Sequence, residues 1–340
     1  MNPIRGSRIL IVGPNWVGDM VMAQSLFIAL KQRQPDCSID VLAPAWTLPL
    51  AEHMPEITRA IEIPLKRGEF GIGKRVRLGR ELAKEAYDQA ILLPNSLKSA
   101  LIPCFAGIQR RTGYLGEQRR GLLNDIRDLD KTVLRQTVQR FVALAQDRQA
   151  AIPPSCAEPR LVVGTAEIGR VREKFGLTNS LGKVLGLCPG AEYGPAKRWP
   201  ARYYATLATI KMDQGWAVWL FGSANDREIC DAVNQATGRR CRSFAGLTSL
   251  NEAIALLSLT DHVVTNDSGL MHVAAALGKT IVALYGSSDP DFTPPLTHRA
   301  RIISLGLECS PCFRRECPLG HFRCMNDIQP ERVGACLDEA

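Results

Sequence analysis

Long apolar runs are absent from this 340-residue chain, in which no stretch approaches the ~18 consecutive apolar residues that a membrane-spanning helix needs. The first apolar run, Ile9–Gly13, is too short for the hydrophobic region of a secretory signal. Aromatic residues make up only 6% of the chain, and there is no fixed-period repeat or low-complexity tract. These absences exclude a membrane span and a repeat protein, and we expect the protein to stay in the cytosol.

What remains is the composition of an ordinary soluble globular chain, with 46% hydrophobic and 22% charged residues. At ~150 residues per domain, the length predicts two domains. The formal net charge is +8, of which +6 falls in residues 1–158 and +2 in residues 159–340. Residues 64–84 alone carry seven basic and two acidic side chains. This excess suits an anionic partner, such as a phosphorylated substrate, nucleic acid or membrane headgroups, although a solvated helix face gives the same pattern.

Short β-branched runs alternate with helical patterns along the whole chain, which predicts parallel sheets with helices on both faces. The expected strands are Arg8–Val12, Ser38–Ala43, Arg59–Ile63, Gln89–Leu93, Val184–Leu187, Ala217–Phe221, His262–Thr265 and Thr280–Tyr285. Residues 150–159 contain three prolines and no strong periodicity, so we expect the domain boundary there. The predicted fold class is α/β, with two Rossmann-like doubly wound domains facing across a cleft. Residues 1–158 form the first domain and 159–325 the second, with a C-terminal helix in 326–340 packing back onto the first.

Ligands of such sheets bind beyond the carboxyl ends of the strands, so the loops after strands carry the candidate functional residues. Gly13–Asp19 follows the first strand, and its terminal carboxylate either caps backbone N–H groups or takes a proton from a substrate hydroxyl. Pro189–Pro200 places Lys197 and Arg198 before a helix start, either as a diphosphate site or as a solvated basic pair.

Two further loops in the second half follow strands. Phe221–Asp226 ends in an acid that either accepts hydrogen bonds from ribose hydroxyls or caps the next helix. Asn266–Gly269 precedes a helix whose first amides and dipole favour an anion. His272 lies one turn into that helix and faces the same loop, although a structural role is the usual one for a lone histidine.

These loops also carry a recognisable set of motifs, which occur in order along nearly the whole chain. They are Val17-Gly18-Asp19 after the first strand, PGAxxxxxKRWP, FGSxxD and NDSGxMH, with GPNWVGDMVM near the N-terminus and CSPCFRRECPLGHFRCM near the C-terminus. Together they resemble the ADP-heptose:lipopolysaccharide heptosyltransferases, which are glycosyltransferases of the GT-B fold. The two terminal motifs resemble the branch that adds the second heptose of the inner core.

The resemblance implies an inverting single displacement that uses no metal and no cofactor. ADP-L-glycero-D-manno-heptose would bind the second domain, and the heptosyl-Kdo2-lipid A acceptor would bind the first. Asp19 would match the general base and Lys197 the residue that neutralises the leaving diphosphate. The implied substrate-binding residues are Gly18, Arg198, Asp226 (for the ribose), Asp267, Ser268, Gly269 and His272. The first heptosyltransferase of the family usually has Thr where this chain has Ser268, so a hydroxyl is kept.

Basic residues of the first domain would face the phosphates of lipid A and the anionic inner leaflet, placing the enzyme on the cytoplasmic face of the inner membrane of a Gram-negative bacterium. They are the stretch Lys66–Lys84 with Arg110, Arg111, Arg119 and Arg120. Two alternatives stay open. One is heptosyltransferase I or III with a different core acceptor, and the other is a non-catalytic protein that binds a nucleotide sugar.

Two motifs of other protein classes carry little information. Gly68–Arg75 nearly matches a P-loop but has Arg75 where the pattern needs Ser or Thr for Mg²⁺. Asp-x-Asp triplets occur at Asp128/Asp130 and Asp289/Asp291, where chance alone gives about one in a chain of this composition. We therefore predict no catalytic metal.

Four of the eleven cysteines fall within sixteen residues: Cys309, Cys312, Cys317 and Cys324. Their spacing is C-x₂-C-x₄-C-x₆-C, in which only the first pair has the spacing of zinc ligands. A structural metal, reduced thiols and an occasional disulfide all remain open. We expect no nucleic-acid binding, because the cluster lies in the half with little excess charge and no series of stacking aromatics accompanies it.

Overall fold

Apolar, largely β-branched runs form the innermost strands of two parallel sheets, because such strands are covered on both faces. The structure is a computed structural model that describes residues 6–66, 68–177 and 182–339. The chain divides into two compact units, Met1–Pro159 and Arg160–Ala340. The division falls at the end of the proline-containing segment 150–159, one residue beyond the boundary expected from the sequence.

The first unit alternates strands and helices in the predicted way. Its strands are β1 (Arg8–Val12), β2 (Ser38–Ala43), β3 (Arg59–Glu62), β4 (Gln89–Leu92), β5 (Arg110–Tyr114) and β6 (Asp125–Arg127). Its helices are α1 (Val17–Arg33), α2 (Pro49–Glu52), α3 (Ile72–Leu82), α4 (Leu97–Phe105) and α5 (Thr137–Ala145).

The second unit repeats this alternation. Its strands are β7 (Val184–Cys188), β8 (Ala217–Leu220), β9 (Arg242–Ser243), β10 (His262–Asn266), β11 (Thr280–Tyr285) and β12 (Ala300–Ser304). Its helices are α6 (Thr165–Lys174), α7 (Ala201–Asp213), α8 (Arg227–Ala236), α9 (Leu250–Leu257), α10 (Gly269–Ala276), α11 (Arg323–Asn326) and α12 (Pro330–Asp338). Short 3₁₀ turns precede α7 at Pro195–Lys197 and α8 at Ala224–Asp226.

The described parts of the two units form two parallel six-stranded sheets of the same topology. The strand order is β3-β2-β1-β4-β5-β6 in one and β12-β11-β10-β7-β8-β9 in the other. In both sheets the first strand of the unit is paired with the second on one side and the fourth on the other. This is the doubly wound order, in which ligands bind where the strand order reverses. The loops after β1 and β4, and after β7 and β10, therefore lie at the two reversal points.

The C-terminal helix α12 belongs to the second unit, whereas the sequence led us to expect it with the first. Its buried side chains Val333 and Leu337 pack in the apolar core that also contains Leu207 of α7. Lys211 of α7, itself buried, forms an ion pair with Asp338 at 2.5 Å. These contacts explain why α12 belongs to the second unit, because its apolar face covers part of the core of that unit. The sequence pattern did not show that this part of the core needed a further helix.

The search for membrane spans found no helix of sufficient length and apolarity among the residues that the structure describes.

Candidate active site

Asp19 lies at the strand reversal of the first unit. β1 ends at Val12 and α1 begins at Val17, two residues earlier than expected, so Asp19 occupies the first helical turn rather than its start. The helix dipole stabilises a carboxylate there. The side chain is half-buried and lines a pocket of about 370 Å³ together with Asn95, Tyr114 and Arg140. Gly18, directly before it, is buried.

Several arginines of the first unit point inward, which corrects the expectation that they face anionic lipid. Arg119 is fully buried, and its guanidinium donates to the carbonyl oxygens of Pro94 at 2.7 Å and Tyr114 at 2.7 Å. Burial lowers the pKa of Arg119 to about 10. Arg75 is buried as well and donates to the carbonyl oxygens of Phe70 and Lys98. Both cations hold loops together, because backbone carbonyls brought close by the fold supply their acceptors.

The other basic residues divide between internal pairing and exposure. Arg110 forms an ion pair with Asp125, and Arg111 donates to the carbonyl oxygen of Leu122 at 2.6 Å. Arg67 lies outside the described residues. The exposed members of the predicted basic set are Lys66, Lys74, Arg77, Arg80, Lys84, Arg110 and Arg120, of which Arg110 is exposed although it pairs with Asp125.

Lys197 and Asp267 form a largely buried ion pair at the strand reversal of the second unit. Lys197 ends the 3₁₀ turn after β7, and Asp267 follows β10, so the ion pair joins these two loops. The exposed fractions of the two side chains are only 17% and 6%. The ammonium group also lies 5.0 Å from the ring centre of Tyr193. Because the ammonium group is already largely removed from water, an incoming anion can bind it without first displacing a full hydration shell.

His272 lies beside this ion pair in the first turns of α10. The ring is buried, and burial lowers its pKa to about 4, with Asp267 opposing the shift and Lys197 adding to it. The imidazole is therefore neutral near pH 7. Ser268 is the N-cap residue of α10, where no side chain caps the helix, and its hydroxyl lies 3.3 Å from that of Thr265. Gly269 is the first residue of the helix, as the sequence led us to expect, and anion binding at this helix start stays a prediction.

Asn266 joins these loops, a role that sequence analysis missed. Its amide nitrogen donates to the carbonyl oxygen of Pro189 at 2.8 Å, and its amide oxygen accepts from the Trp199 backbone N–H at 3.0 Å. The Tyr204 hydroxyl donates to the same oxygen at 3.1 Å. Asn266 thereby fixes both ends of the segment that carries Lys197. Its position beside the predicted anion loop was the available signal, but these partners are distant in sequence.

Asp226 stands at the N-cap position of α8 but does not cap that helix with its side chain, which instead completes a capping box with Ser223 at the start of the preceding 3₁₀ turn. Its Oδ2 accepts from the backbone N–H of Ser223 at 2.9 Å and from the Ser223 hydroxyl at 2.8 Å. Its Oδ1 is buried without a hydrogen-bond partner among the described residues. A side chain at Gly190 would clash with that oxygen, since a Cβ there would lie 2.1 Å from it. Capping thus leaves Oδ1 for another donor.

Buried polar atoms without partners gather at the carboxyl edge of the second sheet. Within the described part of the chain there are six, and four of them follow β7, β8 or β11: Arg198 Nε, Asp226 Oδ1, Ser287 Oγ and Ser288 Oγ. Arg198 otherwise donates only weakly, to the carbonyl oxygen of Ala191 at 3.3 Å. Unpaired buried polar groups are rare in folded proteins. Their concentration at one edge indicates a surface arranged for a polar ligand.

The cysteine-rich segment, residues 309–324, forms hydrogen bonds with the loops at this edge of the second sheet. The Phe313 backbone N–H donates to the carbonyl oxygen of Ser287 at 2.7 Å, and the Tyr193 hydroxyl donates to that of Phe313 at 2.7 Å. The Ala196 N–H donates to the carbonyl oxygen of Arg315 at 3.0 Å. The cysteines Cys309, Cys312, Cys317 and Cys324 are unbridged. No group of three or more potential ligands arranged for a metal ion was found in the described ranges.

Comparison with known proteins gives a consistent picture. The family model described as glycosyltransferase family 9 (heptosyltransferase) matches residues 75–323. Lipopolysaccharide heptosyltransferase 2 of Escherichia coli (strain K12) is 48% identical over 335 residues, which cover 96% of each chain. Lipooligosaccharide heptosyltransferase 2 of Haemophilus influenzae is 47% identical, covering 98% of this chain and 99% of the relative. The solved structure of E. coli ADP-heptose lps heptosyltransferase II superimposes with a TM-score of 0.87 at 45% identity, covering 98% of each chain.

Proposed function

The chain belongs to glycosyltransferase family 9, and from this premise we propose that it transfers L-glycero-D-manno-heptose from ADP-heptose to the first heptose of the lipopolysaccharide inner core. The observation that carries the proposal is the buried ammonium of Lys197 at the strand reversal of the second sheet, beside the uncapped start of α10. A cation and free backbone donors at one helix start suit a diphosphate.

The second unit would bind the donor along the carboxyl edge of its sheet. Asp226 Oδ1, which has no partner in the described residues, would accept from a ribose hydroxyl. Lys197 and Arg198 would contact the diphosphate, together with the backbone N–H groups of Ser268 and Gly269. Departure of ADP places new negative charge on the β-phosphate, and fixed donors stabilise it without reorganisation. Asp267 would hold the Lys197 ammonium in place before the donor arrives.

Asp19 of the first unit would be the general base. A sugar hydroxyl is far too weak an acid to react unaided near pH 7, so a positioned carboxylate contributes ~10²–10⁴-fold to the rate. The carboxylate would take the acceptor proton while the hydroxyl oxygen attacks the anomeric carbon of the heptose. The C–O bond to the β-phosphate breaks in the same step, which inverts the anomeric configuration. His272, neutral near pH 7, would donate or accept a hydrogen bond without adding charge.

The first unit would also contact the anionic inner leaflet through one face of α3. Arg77 and Arg80 are exposed on this helix and Lys84 in the 3₁₀ turn directly after it, and the apolar side chains of Phe70 and Ile72 are 52% and 47% exposed at its start. Cations flanking exposed apolar side chains suit a surface of anionic headgroups. The fully buried Arg119 would take no part.

Sedimentation with phosphatidylglycerol vesicles tests the membrane contact. The double variant Arg77→Ala/Arg80→Ala should bind about tenfold or more weakly, at ~1 kcal/mol per cation. The control Arg170→Ala/Arg301→Ala removes two exposed cations of the second unit and should bind like the unaltered protein. Equal losses in both double variants would contradict a face centred on α3.

The transferase activity is tested by ADP release from ADP-heptose in the presence of core lipids truncated at successive sugars. We expect release only with an acceptor that ends in the first heptose, and undiminished turnover in excess EDTA. Release with an acceptor that lacks heptose would favour heptosyltransferase I, and release only with a longer core would favour heptosyltransferase III. Tight binding of ADP-heptose without release for any acceptor would indicate a non-catalytic binding protein.

A further inference from the structure

We propose that the hydroxyl groups of Ser287 and Ser288 bind the sugar of the glycosyl nucleotide, beyond its diphosphate. The inference rests on the proposed function, because it assumes that the second unit holds a nucleotide diphosphate sugar. It assigns a role to the loop after β11, which neither the sequence motifs nor the comparisons with known proteins connect to substrate.

Both serines are almost completely buried, with exposed fractions of 1% and 5%. Neither hydroxyl has a hydrogen-bond partner among the described residues. A buried hydroxyl without a partner costs ~1–3 kcal/mol in folding free energy. Alanine at either position would fill nearly the same space without this cost. Two such costs at adjacent positions therefore indicate that the hydroxyls have a function other than stabilising the fold.

Strand order gives these hydroxyls their place relative to the nucleotide. The neighbouring strands β8, β7, β10 and β11 present, in that order, the loops that carry Asp226, Lys197, Ser268 and Ser287. Adjacent strands lie ~4.8 Å apart, so the loop after β11 is roughly 14 Å along the edge from the ribose acid. An extended nucleotide sugar with its ribose at β8 and its diphosphate between β7 and β10 places its sugar at β11.

The cysteine-rich segment and Met325 fix the backbone of this loop. The carbonyl oxygen of Gly286 accepts from the Ser310 hydroxyl, and that of Ser287 accepts from the Phe313 N–H at 2.7 Å. A side chain at Gly286 would clash with Met325, since a Cβ there would lie 2.6 Å from the sulfur. A loop whose backbone is fixed by such contacts can hold its hydroxyls without reorganisation, as a site that selects one sugar requires.

The hydroxyl chemistry fits sugar better than phosphate. Ser287 and Ser288 are neutral groups that both donate and accept, which matches the hydroxyls of a sugar. The charge of the diphosphate already has Lys197 and the start of α10 on the neighbouring loops. Sites built to hydrogen-bond a substrate hydroxyl discriminate strongly against analogues that lack it. The pair would therefore help to select the transferred sugar.

Calorimetric titration with ADP and with ADP-heptose tests the proposal. In the Ser287→Ala and Ser288→Ala variants we expect ADP-heptose to bind about five- to tenfold more weakly, and the double variant more weakly still, which corresponds to ~1 kcal/mol per hydrogen bond. Affinity for ADP should change by less than twofold. The melting temperature without ligand should stay the same or rise, because no hydrogen bond within the protein is lost.

Ser258→Ala is the matched control, since that hydroxyl donates to the carbonyl oxygen of Ala255 at 2.7 Å. It should leave both affinities unchanged. Unchanged ADP-heptose affinity in the double variant overturns the proposal, and so does an equal loss for ADP and ADP-heptose, which would place the serines on the nucleotide. Failure of the unaltered protein to bind ADP-heptose would instead refute the proposed function, and this inference with it.

Discussion

The carboxyl edges of the two sheets differ in chemistry, although the sheets share one strand order. In the first unit, the guanidinium of the buried Arg119 donates to backbone carbonyls and to the hydroxyl of Ser99, and only its Nε lacks a partner in the described chain. In the second unit, Arg198 Nε, Asp226 Oδ1 and two serine hydroxyls are buried without partners in the described chain. Topology thus fixes where a ligand can bind, and the state of the buried polar groups distinguishes what holds the loops from what awaits a ligand.

The difference also separates two kinds of charged residue. A buried guanidinium surrounded by carbonyl oxygens stabilises the fold, and its removal leaves acceptors unpaired. The paired Lys197 and Asp267 stand beside a helix start and can exchange one partner for an incoming anion. Substitution of Lys197 should therefore change mainly activity, whereas substitution of Arg119 should change mainly the stability of the fold.

The largest effect should come from Asp19→Asn. Removing the base should lower turnover by about 10³- to 10⁴-fold, while ADP-heptose affinity measured by calorimetry stays within twofold, because the donor is assigned to the other unit. Asp128→Asn, at an exposed position of the same unit, is the control and should turn over normally. A rate near that of the unaltered enzyme would remove Asp19 from the base role, and a matching loss of donor affinity would place it on the donor.

Lys197→Ala should give the next largest effect, about 10²- to 10³-fold in turnover, because the leaving diphosphate loses its cation. Unlike Asp19→Asn, it should also weaken ADP binding, by roughly tenfold or more, since the contact exists in the bound state. Lys183→Ala changes an exposed lysine of the same unit and should alter neither quantity. An unchanged ADP affinity in Lys197→Ala would argue against contact with phosphate.

The sequence was sufficient to predict most of this architecture. β1 and β11 occupy the ranges expected from their apolar, β-branched runs, because such strands are buried whatever their neighbours. β5 and β6 were missed, since RRTGY and DIR contain few apolar residues and are recruited by pairing with the sheet. The sequence also did not show which basic residues are buried, because the carbonyl acceptors of Arg119 lie up to 25 positions away along the chain.

The candidate site likewise contains residues that the sequence predicted and residues that it did not. The family resemblance implied a common donor site for Lys197, Asp267 and His272, and the structure places the three side chains together at the strand reversal of the second unit. The rule that ligands bind beyond the carboxyl ends of strands applies equally to the loop after β11, yet the composition of Gly286-Ser287-Ser288 resembles any turn. Only burial without partners in the described chain distinguishes it, and that feature is visible only in the folded structure. The proposal for Ser287 and Ser288 therefore required the structure.

Arg119→Met should lower the free energy of unfolding by about 3 kcal/mol, because several buried acceptors lose their donor. Chemical denaturation measures the change. Arg120→Met is the matched control at the next position, where the side chain is exposed, and should change stability by less than about 0.5 kcal/mol. Equal stability of the two variants would contradict a structural role for Arg119 and would return it to the lipid-facing set.

The smallest effect should be a pH dependence of the free energy of unfolding that arises from His272 at the carboxyl edge of the second sheet and has no counterpart in the first. The unfolded imidazole of His272 takes up a proton near pH 6.5, whereas burial lowers its folded pKa to about 4. Between these values the unfolded state binds more protons, so this contribution is fully present above pH 6.5 and is lost as the pH falls toward 4. From pH 7 to pH 5 the loss should be roughly 2 kcal/mol. Denaturation at both pH values should show that much less pH dependence in His272→Gln, but not in the control His298→Gln, whose side chain is exposed. An unchanged pH dependence in His272→Gln would mean that the pKa of this imidazole is the same in the folded and the unfolded protein, and would contradict a ring that burial keeps neutral.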